Sequence, residues 1–166
     1  MADITYRGEP VHTRSELPAV GAQAPEIDLV GADLEPVTLE SLRGRRVVLN
    51  IFPSLDTGVC AMSVRKFNEL AAGLENTTVV CVSKDLPFAA KRFCTTEGIE
   101  NVVTGSAFRT HAMSKAYGLR MVDGPLKGLL ARAVVVIDEN GTIIHTQLVQ
   151  EASNEPDYDA AVAALS

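Results

Sequence analysis

The longest β-rich apolar run, Val47-Val48-Leu49-Asn50-Ile51-Phe52, follows Gly44-Arg45-Arg46 and stops at Pro53. A run without polar alternation predicts a strand buried on both faces. After Gly58 the period changes. Val59, Met62, Val64, Phe67, Leu70, Ala71 and Leu74 fall at helical spacing and predict a helix of about four turns. Thr77–Val82 reads as a second buried strand. Phe88–Gly98 reads as a short helix opened by Pro87, whose missing N–H does no harm in a first turn. Asn101–Val103 predicts a short strand and Thr110–Tyr117 a short helix. Leu129–Ile137 and Thr142–Val149 predict two long strands joined by Glu139-Asn140-Gly141, a good hairpin turn.

The ends of the chain complete the pattern. Ile4 to Arg14 alternates and turns at Gly8-Glu9-Pro10, which predicts a β-hairpin within residues 1–14. Short strands follow at Ile27–Val30 and Pro36–Leu39. Glu155-Pro156-Asp157-Tyr158 opens a final Ala-rich helix, with acids in its first turn where the helix dipole favours them. Strands alternating with helices, closed by an antiparallel hairpin, predict a three-layer α/β domain with a mixed central sheet. No linker, repeat or low-complexity stretch divides residues 1–166, so one domain is expected.

Charge narrows the function classes. The chain has 166 residues and a net charge of −6. Acids and bases number fifteen each through Ile137, and all six excess acids lie beyond it. Without a basic face, neither nucleic acid nor an anionic membrane is an expected partner. No apolar run approaches the ~18 residues of a membrane span, and MADITYRGEP contains no secretory apolar core, so a cytoplasmic location is expected. The cysteines, Cys60, Cys81 and Cys94, form no C-x-x-C pair. His12, His111 and His145 have no metal-ligand spacing, and no phosphate-binding glycine loop follows a strand. No cofactor or metal is expected.

The segment that carries chemistry is Phe52-Pro53-Ser54-Leu55-Asp56-Thr57-Gly58-Val59-Cys60. A central strand ends there, a loop turns, and a helix begins within a turn of a cysteine. The carboxyl edge of an open α/β sheet is where sites form. A sulfur in a first helical turn faces unpaired N–H groups and the positive end of the dipole, both of which favour thiolate. A helix terminus contributes only ~0.3–1 kcal/mol, up to ~2, so activation needs a second partner such as an arginine. Position alone leaves Cys60 open between a reactive thiolate and a buried structural cysteine. Arg132, the only charge between Gly128 and Ile137, is similarly open. It is either paired, because an unpaired buried guanidinium is too costly, or reaches along its stem to water.

Pro53-x-x-x-Thr57-x-x-Cys60 matches the P-x-x-x-T/S-x-x-C signature of the peroxiredoxins. The runs LNIFPSLDTGVCAMSVRKFNEL, SKDLPFAAKRFC and DGPLKGLLARAVVVIDENG closely resemble the bacterial thiol peroxidase subfamily, nearly end to end and including the amino-terminal hairpin. The resemblance implies a thioredoxin-like fold and a peroxidase acting on hydrogen peroxide and organic hydroperoxides. It implies that Cys60 attacks the peroxide and that Thr57 hydrogen-bonds the sulfur and the peroxide. Pro53 would limit water access, and Arg132, placed in a strand Leu130–Val134, would hold the thiolate.

The same resemblance implies that Cys94 resolves the Cys60 sulfenic acid as an intramolecular disulfide, that thioredoxin reduces the bridge, and that the chain forms a homodimer. The bridge would span 34 positions, a closure worth ~3–4 kcal/mol of unfolded-state constraint. Cys81, flanked by Val79, Val80 and Val82, reads as structural. Two other readings are a non-catalytic redox sensor using the same disulfide and a cysteine hydrolase, which would need a histidine base beside Cys60.

Overall fold

The apolar run after Gly44 lies in the middle of a seven-stranded sheet. The computed structural model describes residues 1–166. In chain order its elements are β1 (Asp3–Tyr6), β2 (Glu9–His12), β3 (Leu29–Val30), β4 (Pro36–Val37), β5 (Arg46–Ile51) and α1 (Gly58–Ala71). Then come β6 (Thr77–Ser83), α2 (Pro87–Glu97), β7 (Val103–Ser106), α3 (Ala112–Ala116), β8 (Ala133–Ile137), β9 (Ile143–Leu148) and α4 (Tyr158–Ala163). The strand order is β4-β3-β7-β6-β5-β8-β9, and β1 and β2 form a separate antiparallel hairpin.

Helices α1 and α2 are the crossovers that make β5, β6 and β7 parallel. Strand β8 runs antiparallel on the other side of β5, and β9 pairs with it in turn. This is the thioredoxin-like arrangement expected from the element order. Alternate residues of the central strands feed two cores. Val47, Leu49, Ile51, Val80, Val82 and Val135 face the layer built from α3, the hairpin and the long connections. Val48, Phe52, Val79, Cys81, Val134 and Val136 face α1, α2 and α4. Burial on both faces explains why these strands read as continuous apolar runs.

Helix ends follow local chemistry. Asp157 caps α4 by accepting from the Ala160 N–H at 3.0 Å. Pro87 opens α2, and Gly98 closes it in the left-handed conformation at φ 67°.

The larger differences from expectation lie at four strand boundaries. The strand predicted at Asn101–Val103 lies at Val103–Ser106, because the Asn101 N–H is taken by Asn68 Oδ1 at 2.7 Å. Gly105 permits the close approach: a Cβ there would meet Leu29 Cδ1 at 2.6 Å. Asp28, at φ 42°, breaks the strand predicted from Ile27 and leaves only Leu29–Val30. At β4 the Leu39 N–H turns to Glu26 Oε1 at 2.5 Å, leaving the sheet after Val37. The strand predicted from Leu129 begins at Ala133, since Met121, Gly128 and Ala131 hydrogen-bond between the 119–121 and 128–131 segments instead. Arg132 therefore immediately precedes the strand in which it was placed.

Candidate active site

The register of the central ladder brings the two ends of the site together. Ile51, the last residue of β5, pairs with Ala133, the first of β8. The loop leaving β5 and the residue preceding β8 therefore share one edge of the sheet, at the carboxyl end of β5. The β5 loop leads into α1, with Thr57 at its N-cap in extended conformation and Cys60 in the first turn. Cys60 is fully buried, and Arg132 is only 2% exposed.

Arg132 Nη2 donates to Cys60 Sγ at 3.2 Å, and Nε donates to the Ala152 carbonyl at 3.1 Å. Nη1 is buried without a hydrogen-bond partner. No carboxylate lies within 4.0 Å of the guanidinium. A buried cation without an anionic partner is strongly disfavoured, so the sulfur is the group on which its charge bears most directly. The structure thus brings Cys60 and Arg132 into contact and closes the solvent route for the guanidinium.

The loop between β5 and α1 is held by Asp85, at the junction of β6 and α2. Its carboxylate accepts from Ser54 Oγ at 2.8 Å, the Leu55 N–H at 2.7 Å and Ser83 Oγ at 2.7 Å. Pro53, in the same loop, is buried. Thr57 is exposed, and its hydroxyl donates to the Ser54 carbonyl at 3.0 Å. Its proton therefore points into the loop in this state, and no hydrogen bond joins the hydroxyl to the Cys60 sulfur.

A buried polar chain runs beneath Cys60. Ser63 Oγ donates to the Cys60 carbonyl at 2.8 Å, and Asn50 Nδ2 donates to Ser63 Oγ at 3.2 Å and approaches Cys81 Sγ at 3.7 Å. Cys81 lies in the same apolar cluster as Cys60, and Cys94 packs against that cluster. All three are free thiols. Burial, offset in part by the Asn50 amide and reinforced by the charge of a Cys94 thiolate, pushes the Cys81 thiol up to about 12. Partial burial also raises Cys94. Cys94 lies on α2, and its carbonyl accepts the capping N–H groups of Gly98 and Ile99.

Sequence reasoning missed Asp85, Ala152 and the Asn50–Ser63 pair. Asp85 had a detectable signal, an acid two residues before a helix-opening proline. Ala152 had none, because it acts through a backbone carbonyl. No histidine hydrogen-bonds Cys60. His12 is bound to Asp123 at 2.6 Å, and His111 Nδ1 lies 3.4 Å from Lys84 Nζ. The imidazole base that cysteine hydrolysis needs is absent from the sulfur. No group of three or more His, Cys, Asp or Glu residues could hold a metal, and no helix is long and apolar enough to cross a membrane. A cleft of about 500 Å³, lined by Arg43, Val47 and Ile137, opens at the opposite edge of the sheet. A smaller one of about 150 Å³, lined by Leu55, Asp85, Arg92 and Phe93, separates the β5–α1 loop from α2.

The Redoxin family model matches residues 19–162. A thiol peroxidase of Corynebacterium glutamicum is 58% identical over 166 residues, covering all of both chains. A thiol peroxidase of Mycobacterium tuberculosis is 55% identical over 165 residues, covering 99% of each. Among solved structures, a peroxiredoxin-like protein from Aquifex aeolicus superposes with a TM-score of 0.94 at 41% identity, covering 99% of this chain and 96% of that one. A thiol peroxidase from Chromobacterium violaceum shares the fold, with a TM-score of 0.90 at 19% identity over 98% of this chain and 94% of that one.

Proposed function

This chain belongs to the Redoxin family, in its thiol peroxidase branch, and from that membership we propose that Cys60 is the thiolate that attacks the hydroperoxide. The observation that carries the assignment is the 3.2 Å contact between Cys60 Sγ and a buried guanidinium that has no carboxylate partner. The thiolate supplies the negative charge that Arg132 lacks. Sulfur attacks the terminal oxygen, the O–O bond breaks, and the departing alkoxide or hydroxide takes a proton to leave as alcohol or water. Cys60 becomes a sulfenic acid.

Charge moves from sulfur to the leaving oxygen during this step, and fixed donors aimed at that path lower the barrier. Arg132 Nη1, buried and unpaired, is the donor available for a peroxide oxygen while Nη2 holds the sulfur. The Thr57 hydroxyl turns from the Ser54 carbonyl to serve as a second donor. Pro53, buried beside the loop, limits water at the sulfur. Asp85 holds that loop in place.

Cys94 then attacks the sulfenic sulfur, a Cys60–Cys94 disulfide forms, and water leaves. An external dithiol, thioredoxin by family resemblance, exchanges with the bridge, restores both thiols and leaves oxidised. Forming the bridge brings the two Cα atoms within ~4.4–6.8 Å, so the first turn of α1 and the end of α2 open locally. Cys94 lies before Thr95-Thr96, both weak helix formers, near the Gly98 cap, which keeps that opening inexpensive. The enzyme works in the cytoplasm as a homodimer in this reading. Cys60→Ser should fold normally and lose peroxidase turnover; a variant retaining a substantial fraction of activity would refute the assignment.

A further inference from the structure

The amino-terminal hairpin lies outside residues 19–162 that the Redoxin model matches, yet it is bonded to the segment that holds Arg132. Thr5 of β1 forms a parallel bridge with Glu151. The Thr5 N–H donates to the Gln150 carbonyl and the Ala152 N–H to the Thr5 carbonyl, each at 2.7 Å. The Glu151 side chain closes the junction. Oε1 accepts from Thr5 Oγ1 at 3.0 Å and from the Gly8 N–H at 2.9 Å. Oε2 accepts from the Ser153 N–H at 2.7 Å and from Ser153 Oγ. One carboxylate therefore ties both the hairpin strand and its turn to the 150–153 segment.

We propose that Glu151 is a positioning residue for the peroxidase reaction, locking the hairpin to the 150–153 segment so that the Ala152 carbonyl aims the Arg132 guanidinium at Cys60. The guanidinium is a rigid planar fork, so the atom that receives Nε sets the direction of both terminal nitrogens. With Nε on the Ala152 carbonyl at 3.1 Å, Nη2 reaches the sulfur at 3.2 Å and Nη1 stays unpaired. Moving that carbonyl rotates the fork away. Ala152 is 3% exposed and offers only its backbone for this contact, so its position must be set by its neighbours. Bonds from Ser153, Gly8 and Thr5 hold the Glu151 carboxyl down to about 2. It is ionised throughout the working range and acts as a fixed clamp rather than a switch. The hairpin is braced at its other side, where the His12 N–H donates to Asp123 Oδ1 at 2.8 Å and the Val122 N–H to the His12 carbonyl at 2.9 Å.

This proposal rests on Arg132 holding Cys60, and the sign of the effect separates it from two other accounts. A carboxylate acting by its charge would disfavour the thiolate, so its removal would speed Cys60. A purely structural carboxylate would lower the melting temperature and leave Cys60 unchanged. A positioning carboxylate slows Cys60 when removed.

The test is the single-turnover rate of Cys60 with hydrogen peroxide, and its alkylation by iodoacetamide at neutral pH, in the reduced full-length enzyme. Glu151→Ala should slow both about tenfold, within what loss of a hydrogen bond to a charged group produces. Arg132→Met should slow them at least as much, and the double variant should be no slower than Arg132→Met alone. Glu26→Ala removes a comparable knot, made with the Ile27, Leu39 and Glu40 N–H groups; it should lower the melting temperature without slowing Cys60. Thr5→Val, which removes the hydroxyl that donates to Glu151 Oε1 and the Gln150 carbonyl, should slow Cys60 in the same direction by a smaller factor and serves if Glu151→Ala fails to fold. Unchanged or faster Cys60 in the Glu151 and Thr5 variants would overturn the proposal, as would additive slowing in the double variant. Unchanged Cys60 in Arg132→Met would instead overturn the reading of Arg132 on which the proposal stands.

Discussion

Cys60 and Cys81 lie in one apolar cluster and are equally buried, at 0% and 2% exposure. Their surroundings differ in one respect that matters. Cys81 sits in the middle of β6 against valines and the neutral amide of Asn50, and desolvation pushes its thiol up to about 12. Cys60 sits in the first turn of α1 with a buried guanidinium 3.2 Å from its sulfur. Burial without charge compensation makes a thiol inert; burial beside an unpaired cation gives that cation a use for a thiolate. The contrast arises from sheet geometry, because only the edge where β5 ends and β8 begins can offer both a helix N-terminus and Arg132.

The largest effect on this contrast comes from removing the cation. Arg132→Met keeps the buried stem and makes the surroundings of Cys60 resemble those of Cys81. Alkylation of Cys60 at neutral pH and its peroxide rate should fall on the order of 10–100-fold, the range for loss of a hydrogen bond to a charged group. An unchanged rate would show that the guanidinium contact does not distinguish the two sulfurs.

A smaller effect is expected at Asp85, which touches neither sulfur. Asp85→Ala leaves Ser54, Ser83 and the Leu55 N–H without their acceptor, and should destabilise the fold by about 1–3 kcal/mol. By loosening the loop ahead of α1 it should slow the peroxide step several-fold while leaving Cys81 unreactive. Thermal melts and single-turnover rates would check both.

The smallest effect on activity belongs to Cys81. Its folded-state thiol is raised from 9.0 to about 12. The native state therefore retains a proton that the unfolded chain releases, and stability should decline as pH rises from about 9 towards 12. Cys81→Ala should flatten that decline in denaturant titrations and keep most of the peroxidase turnover. An equally steep decline would assign the alkaline sensitivity to other groups.

The legible parts of the molecule are those where one physical rule dominates. Val47–Phe52 reads as a buried strand because both its faces are covered, and α1 reads as a helix because one face meets the sheet. Cys60 was legible as a first-turn cysteine after a strand, and the family pattern singled out Arg132. What could not be read depends on backbone groups and contacts distant in sequence. Gly105-Ser106 has little strand propensity, and β7 takes its place beside β3 because Gly105 lets Leu29 approach. The Leu129–Ala131 run has strand composition but makes its hydrogen bonds to residues 119–121. The Thr57 hydroxyl, expected at the sulfur, donates instead to the Ser54 carbonyl three residues earlier, a local bond that competes with the functional one. The Ala152 carbonyl carries no side-chain signature at all.

The central claim is that Cys60 is the oxidised sulfur and that Cys94, rather than the more deeply buried Cys81, resolves it. Mass spectrometric peptide mapping of the reduced enzyme after one equivalent of hydrogen peroxide, with free thiols blocked at once, tests it most directly. The account predicts a Cys60–Cys94 disulfide within one chain and a blocked free thiol at Cys81. A Cys60–Cys81 bridge, a Cys81–Cys94 bridge, or disulfide-linked dimers alone would contradict it.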